Sequence, residues 1–309
     1  MIFDDLTSLQ NLSLEAYPDC FGTARKAPCS HRRRRSNMML NPLNLKHLNR
    51  IDESDADMIT LNLEDAIAPS RKKEALYNIA LFLSHLPQSP SCIIVRVNPL
   101  GHGGEEEIAF LNDFAFDAVR LAKVKDQHDI ARALSLLDET KELHISLETK
   151  EAFQRLSSLR IDPRLTTANL GILDLLTSLG LPQSLVQIGN PSIDYILSKF
   201  LIDAKTAGIH PISFMFQEYN DTETFRQWCQ REKAMGYEGK ACMGPKQVAI
   251  ANEVFGVSNE EKARAQHIKS AFEAYAAKGI NGFMDDKYGI FIDEPIYRDA
   301  LLILEESHD

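Results

Sequence analysis

The sequence has no long hydrophobic run, and this absence excludes a first class of function. No stretch approaches the roughly 20 consecutive apolar residues that cross a bilayer. The first ten residues include two aspartates and no apolar core, so no secretory signal is expected. We therefore expect neither a membrane protein, nor a membrane partner, nor a secreted protein.

Basic residues are in the minority. The 309 residues include 34 Lys and Arg against 44 Asp and Glu, so the formal net charge is −10 at pH 7. Nucleic-acid backbones are bound by clustered cations that displace counterions, and a chain this acidic is poorly suited to that task. No nucleic-acid partner is expected.

Cysteine is sparse and unpatterned. The five cysteines are scattered, and no CxxC pair or Cys/His ligand spacing occurs. A disulfide framework and a zinc ribbon are therefore both unsupported. Cys92 and Cys242 lie in apolar segments and are interpreted as core thiols. These features predict a cytoplasmic protein in a reducing environment.

What the sequence does contain is a repeat. From about residue 36, short apolar runs alternate with longer amphipathic stretches, as strands alternate with helices. Such repetition requires crossover connections and therefore a parallel sheet. Eight units spaced by about 25 residues are typical of a closed (β/α)8 barrel. The eight apolar runs are 38–40, 58–63, 92–97, 118–124, 143–147, 165–170, 209–215 and 240–243.

A doubly wound sheet is the alternative α/β fold. It is less favoured because no GxGxxG follows the first strand and no GxxxxGK[ST] occurs anywhere. We predict an α/β TIM barrel over residues 35–255, preceded by an irregular extension (1–34) and followed by a C-terminal helical extension (256–309). The apolar residues of that extension need a surface to cover, either on their own barrel or on a neighbouring subunit.

Charged residues stand where the predicted strands end. Barrel active sites lie at the C-terminal ends of the strands, because the βα loops meet there. Solvation alone accounts poorly for so many charges at equivalent positions. The charged residues at or just after these ends are Glu64, Asp65, Arg96, Lys123, Glu148 and Asp174.

These residue types indicate a chemistry. Glu148 and Asp174 suit Mg²⁺, which takes few carboxylates and keeps positions for water or substrate. Arg96 offers a forked donor set for a carboxylate or a developing enolate oxygen. Metal plus arginine points to reaction at a carbon next to a carbonyl. Lys123 leaves a Schiff-base aldolase as the competing interpretation. Gly171 allows the backbone to approach a ligand at a helix N-terminus.

At these residues the chain resembles the HpcH/HpaI aldolase and citrate lyase superfamily, in the branch of citrate lyase β subunits, malyl-CoA lyases and citramalyl-CoA lyases. The order and spacing of the matching stretches cover residues 35 to 309. The matching stretches are Arg35-Ser36, LNLEDAIAP (61–69), IIVRVN (93–98), DAVRLAKV (117–124), LHISLET (143–149), LGILDLLTSLG (170–180), GYEGKACMGPKQ (236–247) and IDEP (292–295).

The resemblance implies roles for individual residues. Glu148 and Asp174 match the Mg²⁺ ligands, with Mn²⁺ as an alternative ion, and Asp174 and Gly171 also face the substrate. Arg96 matches the arginine that binds the 2-oxo acid and stabilises the oxyanion. Asp293 matches an acid delivered by a neighbouring subunit of a homotrimer or hexamer. The remaining match is an acidic pair near the metal, Glu64 and Asp65.

The chain departs from the family pattern around the barrel mouth. The family's Pro-Gly after strand one is Asn41-Pro42, its Pro-Lys after strand four is Ala122-Lys123, and its Ile-His-Pro after strand eight is 243–245, Met-Gly-Pro. Asn62 also replaces the leading acid of the family's Asp-Leu-Glu-Asp motif. The metal-and-arginine set is intact, while the contacts to the acyl group and CoA are altered.

The expected function is a Mg²⁺-dependent carbon–carbon lyase. Its substrate would be a 3-hydroxy acid or its CoA thioester, and it would release a 2-oxo acid. Two alternatives stay open: an acyl-CoA thioesterase on the same scaffold, and a non-catalytic protein that binds a 2-oxo acid or CoA.

Overall fold

The structure is a computed structural model that describes residues 1–10, 12–30 and 33–308, the side chains of 306–308 excepted. Its contacts divide the chain into two compact units. The first holds the described residues up to Phe255 apart from Arg33, and the second begins at Gly256.

The first unit is a barrel of eight parallel strands. The strands follow one another in the order β7-β6-β5-β4-β3-β2-β1-β8. All eight coincide with the predicted apolar runs, and the predicted (β/α)8 barrel is confirmed. The strands are β1 (Ser36–Leu40), β2 (Met58–Asn62), β3 (Cys92–Val97), β4 (Ala118–Leu121), β5 (Glu142–Leu147), β6 (Leu165–Leu170), β7 (His210–Ile212) and β8 (Lys240–Cys242).

The barrel closes between β7 and β8 through little backbone pairing. A single bridge joins Ser213 to Lys240. Side chains reinforce it: one carboxylate oxygen of Glu232 accepts hydrogen bonds from Ser213 Oγ at 2.6 Å and from Lys240 Nζ at 2.7 Å. Both Lys240 and Glu232 are fully buried. The seam is thus held by an ion pair between strand β8 and the helix outside it.

Amphipathic helices surround the strands. Several begin at side-chain caps: Asp126, Thr149, Asn190 and Asp221 each accept a hydrogen bond from the first turn of the helix that follows. The helices of this unit are α1 (Thr7–Gln10), α2 (Leu45–Leu48), α3 (Lys72–Ser84), α4 (Gly104–Leu111), α5 (Gln127–Leu136), α6 (Lys150–Arg155), α7 (Ile172–Leu179), α8 (Pro191–Thr206), α9 (Thr222–Met235) and α10 (Pro245–Phe255).

The barrel interior is apolar at one level and polar at the next. A small apolar cluster includes Met58, Ile94 and Ala118. Two residues further along β3 and β4, the buried side chains are Arg96 and Arg120. Barrel interiors usually hold branched apolar side chains, so we interpret this polar layer as part of a functional site and not as core packing.

The N-terminal extension lies against the start of β3 and β4. Lys26 Nζ pairs with Asp117 at 2.8 Å, and the Cys29 backbone N–H donates to the same carboxylate at 2.7 Å. This holds Cys29 beside Cys92, and the two form a disulfide with a Cα–Cα distance of 5.2 Å. The interpretation of Cys92 as a free core thiol is therefore wrong. The prediction of a reducing environment was based partly on unpaired cysteines, and this disulfide removes that support.

The second unit contains helix α11 (Asn259–Ala276), strands β9 (Gly282–Asp285) and β10 (Ile290–Asp293), and helix α12 (Glu294–His308). The two strands form an antiparallel hairpin inside the segment that the sequence predicted as a helical extension. Alternation explains the difference, because Ile292 is buried while Phe291 is about half exposed. In both units together, no described helix is long and apolar enough to cross a membrane.

Candidate active site

The predicted strand-end residues of the first unit converge on one rim of the barrel. Glu64 and Asp65 follow β2, Arg96 lies near the end of β3, and Lys123 and Glu148 follow β4 and β5. Their side chains are joined by ion pairs. The cluster is therefore a single charged network rather than a set of independently solvated strand ends.

Arg96 is the centre of this network. Its Nη2 donates to Glu148 Oε1 at 2.6 Å and lies 2.9 Å from Glu64 Oε2. All three residues are at most 6% exposed. Buried charges are tolerated when they are paired in this way. Arg96 Nε is buried and Nη1 is not enclosed, and neither has a hydrogen-bond partner among the described residues, so Nη1 is the donor left for a ligand oxygen.

Lys123 contacts the acids of this network at the mouth of the barrel. Its Nζ lies 2.8 Å from Glu64 Oε1 and 3.1 Å from Asp65 Oδ1. Its backbone N–H donates to Glu148 Oε2 at 3.2 Å, from a left-handed conformation with φ of 53°. Burial lowers the pKa of Lys123, but its hydrogen bonds to Glu64 and Asp65 outweigh burial and raise the pKa above the ordinary value. A protonated, ion-paired amine is a poor Schiff-base nucleophile, which disfavours the aldolase alternative.

Asp174 lies in the first turn of α7 and faces the acidic side of the network. Partial burial raises the pKa of Asp174, and the Asp65 carboxylate raises it further. The pKa of Glu64 is also raised, first by burial and then by its contact with Asp65. Carboxylates that repel one another in this way are stabilised by a cation placed among them.

The donor set fits Mg²⁺. The converging ligands are carboxylate oxygens, which Mg²⁺ prefers, and Asp174 makes no hydrogen bond or ion pair within the described ranges. No three His, Cys, Asp or Glu side chains in the described part of the chain surround one metal position. An ion here would therefore take two carboxylates, from Glu148 and Asp174, and complete its shell with water or substrate, as Mg²⁺ commonly does.

Gly171 makes room for Glu148. A Cβ atom at Gly171 would lie 2.3 Å from Glu148 Cγ and 2.8 Å from Glu148 Oε1. The sequence predicted a close approach of the Gly171 backbone to a ligand. The structure shows that the group pressed against this backbone is the Glu148 side chain.

Asp293 belongs to the second unit. It ends β10, and its Oδ1 accepts a hydrogen bond from the Ile296 backbone N–H at 3.3 Å in the first turn of α12. Its delivery to a neighbouring subunit stays a prediction.

Sequence reasoning missed two supporting residues and one buried cation. Lys72, in the first turn of α3, donates to the Glu64 carbonyl at 2.9 Å and to Asn98 Oδ1 at 2.8 Å, fixing the loop after β2. Glu107 accepts the Asn98 backbone N–H at 2.8 Å and fixes the loop after β3. No sequence pattern marks these contacts. Arg120 did carry a signal, as a charge inside an apolar run.

A cavity of about 830 Å³ lies beside the end of β1. Asn41 and Met243, both from stretches that depart from the family pattern, line it together, with Lys46, His47 and Arg71 supplying basic groups. None of the ion-paired residues around Arg96 lines it. Glu74, which pairs with Arg71, also lines this cavity, so the rim offers a cavity of mixed apolar and charged lining that is separate from the acidic network.

A (β/α)8 barrel with acids gathered around a buried arginine at its C-terminal rim is the arrangement of a barrel enzyme. The chain belongs to the HpcH/HpaI aldolase/citrate lyase family, whose model matches residues 35–245. The resemblance read from the motifs is confirmed, and the protein is a carbon–carbon lyase.

Three known proteins illustrate the similarity. The L-malyl-CoA/beta-methylmalyl-CoA lyase of Cereibacter sphaeroides is 26% identical, with 81% of this chain and 89% of that protein covered. The citrate lyase subunit beta-like protein of Deinococcus radiodurans is 26% identical over 84% of this chain and 92% of that protein. The solved structure of CitE from Mycobacterium tuberculosis with magnesium, acetoacetate and coenzyme A has a TM-score of 0.71 and 18% identity, covering 90% of this chain and 99% of that one.

Proposed function

We propose that the protein is a Mg²⁺-dependent lyase that cleaves a 3-hydroxy acid or its CoA thioester and releases a 2-oxo acid. The observation that carries the proposal is Arg96, held by Glu64 and Glu148 at 2.9 and 2.6 Å with its Nη1 unpaired among the described residues. A positioned guanidinium beside acidic metal ligands is suited to an oxygen whose charge changes during the reaction.

Glu148 and Asp174 would hold Mg²⁺, which supplies Lewis acidity toward the oxygens of the 2-oxo acid. Arg96 donates hydrogen bonds to the hydroxyl oxygen, which gives its proton to solvent at the barrel mouth and becomes a carbonyl while the carbon–carbon bond breaks. The bonding electrons stay on the other fragment as an enolate. Asp293 of a neighbouring subunit gives that enolate carbon a proton, and removes one in the condensation direction.

Glu64, Asp65 and Lys123 position this machinery. Glu64 binds Arg96 through one oxygen and Lys123 through the other, at 2.9 and 2.8 Å. A guanidinium whose Nη2 is bound by two carboxylates loses little freedom when substrate arrives, which is what catalysis by preorganised donors requires.

The second substrate half is proposed to be a CoA thioester. The Cereibacter relative is named for CoA-linked acids, and the Mycobacterium structure contains coenzyme A. Lys46 and His47 are the basic groups of the 830 Å³ cavity that suit the phosphates of that cofactor, whereas Arg71 is ion-paired with Glu74. A homotrimer or hexamer that exchanges Asp293, the use of Mn²⁺ in place of Mg²⁺, and a cytoplasmic location are further parts of the proposal.

The test is a panel of CoA thioesters and 2-oxo acids incubated with Mg²⁺ or with EDTA and analysed by mass spectrometry. A lyase yields a 2-oxo acid and a shortened acyl-CoA, only with the metal. Free CoA together with the intact hydroxy acid would establish the thioesterase instead. Metal-dependent binding of a 2-oxo acid without any turnover would establish the binding protein.

A further inference from the structure

The N-terminal extension lies outside the part of the chain that the family model matches, which begins at residue 35. It is fixed at the base of the barrel by the ion pair of Lys26 with Asp117. Earlier in the chain, the Gly22 backbone N–H donates to Ser84 Oγ of helix α3 at 2.9 Å. The extension is therefore attached both at the base of the strands and on a helix of the barrel.

The first half of the extension lines the cavity of about 830 Å³ beside the end of β1. The residues that do so are Leu9, Gln10, Leu12, Leu14 and Tyr17. Leu12 and Leu14 are half-buried, and within the described ranges neither belongs to the hydrophobic core or to the apolar side chains packed against it. Core packing does not account for these two side chains, whereas contact with a bound ligand would.

A chain of buried hydrogen bonds joins this wall of the cavity to the loop after β1. Tyr17 Oη donates to Asn78 Oδ1 at 2.6 Å, and Asn78 Nδ2 donates to the Pro42 carbonyl at 3.0 Å. Tyr17 is 3% exposed and Asn78 is 1% exposed. Pro42 belongs to the loop that departs from the family pattern. The position of that loop therefore depends on a residue of the extension.

The start of the extension holds the helix that carries the basic groups of the cavity. The Phe3 backbone N–H donates to Asn49 Oδ1 at 2.7 Å, and Asn49 Nδ2 donates to the Phe3 carbonyl at 2.8 Å. Asn49 follows the last residue of helix α2, which contains Lys46 and His47. The extension thus contributes one wall of the cavity and fixes two segments that form the rest of it.

We infer that the N-terminal extension determines which thioester enters this cavity. Leu12 and Leu14 contact the pantetheine arm of a CoA thioester, and Tyr17 is a positioning residue that acts through Asn78 on the loop after β1. The arm is a chain of methyl, methylene and amide groups that ends in a diphosphate, so it needs apolar contacts in the same cavity as basic ones. This inference rests on the proposed function, because a CoA thioester must occupy the cavity.

Coenzyme A and pyruvate are the two probes, each titrated by calorimetry into the full chain with Mg²⁺. The double variant Leu12→Ala/Leu14→Ala should bind coenzyme A roughly tenfold more weakly, because the apolar contact area is reduced. Tyr17→Phe should weaken it by about threefold to tenfold, the contribution of one hydrogen bond. Pyruvate affinity should stay unchanged in both variants, because neither touches the network around Arg96.

Tyr237→Phe is the matched control. Tyr237 is also a buried tyrosine, its hydroxyl donates to the Leu197 carbonyl at 2.8 Å, and it does not line the cavity. Its loss should lower the melting temperature about as much as Tyr17→Phe does and leave both affinities unchanged. In turnover, Tyr17→Phe should raise KM for the CoA thioester at constant kcat. The leucine variant keeps the inference testable if Tyr17→Phe does not fold, since its two side chains lie outside the core.

The two probes separate the failure of this inference from that of the proposed function. Unchanged coenzyme A affinity in the leucine variant would overturn the inference and leave the lyase standing. Equal losses for coenzyme A and pyruvate in Tyr17→Phe, or the same coenzyme A loss in Tyr237→Phe, would overturn the positioning role of Tyr17. If the parent binds pyruvate but not coenzyme A, the CoA part of the proposed function fails together with this inference. Absence of Mg²⁺-dependent pyruvate binding would refute the lyase proposal itself.

Discussion

Substituting alanine at Gly171 tests whether the placement of Glu148 controls the metal site. The new Cβ would lie 2.3 Å from Glu148 Cγ, whereas ordinary contacts begin at 3.4 Å. Glu148 would therefore have to retreat by about 1 Å, against its hydrogen bonds from Arg96 and the Lys123 backbone. The Gly171 backbone is not strained, with φ of −88°, so any effect must come from the added methyl group.

The expected magnitude follows from that displacement. Overpacking at a rigid site costs about 1–3 kcal/mol of stability. A misplacement of about 1 Å in a catalytic group costs roughly a hundredfold in rate, and Mg²⁺ affinity should fall with it. Thermal unfolding, Mg²⁺ titration and steady-state turnover measure the three effects.

A double-mutant cycle provides the control. In a Glu148→Ala background no Cγ is present to clash, so Gly171→Ala should be neutral or stabilising by about 0.4–1 kcal/mol through the unfolded state. If Gly171→Ala costs the same stability in both backgrounds, or if the single variant binds Mg²⁺ as the parent does, the close approach does not control the site.

Three further predictions concern the same network. Arg96→Lys should lose turnover nearly as completely as Arg96→Ala, because a lysine keeps the charge but not the fork; full activity in a steady-state assay would contradict the assigned role. Mg²⁺ affinity should fall as the pH is lowered, because only deprotonated Asp174 binds metal. Burial and then the Asp65 carboxylate raise the pKa of Asp174, so the affinity should reach half its maximum at a pH above 3.8, the ordinary pKa of an aspartate. Calorimetry across pH would disprove this if Asp174→Asn showed the same profile. Asp293→Ala and Arg96→Ala proteins should each be inactive, yet regain activity when their subunits are exchanged; no recovery after exchange proven by mass spectrometry would exclude a shared site.

The strand order and most of the site could be predicted because both depend on local pattern. Eight apolar runs separated by amphipathic helices leave few folds other than a barrel. The rule that barrel sites lie at strand ends then identified Glu64, Arg96 and Glu148, which the structure joins by ion pairs. The chemistry of these residues could be predicted because a buried charge is costly, and at the end of a barrel strand binding or catalysis is the usual reason for one.

The missed features depend on contacts between distant segments. Cys29 and Cys92 are 63 residues apart, and they meet because Lys26 and the Cys29 backbone both bind Asp117. Lys72, at the start of a helix, donates to the Glu64 carbonyl in a loop, and such a contact produces no periodic pattern in the sequence. Arg120 was overlooked for another reason. A single charge in an apolar run does not change the strand assignment, although a charge that points into a barrel indicates a polar interior at that level.

The closure of the barrel divides it mechanically. The strands that carry the acidic network, β2 to β6, are joined by backbone ladders of four or five paired residues, whereas β7 meets β8 at one bridge supplemented by the Glu232 ion pair. Breathing motions of the barrel should therefore concentrate at the β7–β8 seam, where few backbone hydrogen bonds have to break. The mouth can then widen on that side, next to the Met243 loop, to admit acyl groups of different bulk, while the arc holding Arg96 keeps its geometry. The β7–β8 side of the barrel would then adapt to different substrates, while the β2–β6 side would keep the catalytic groups in place.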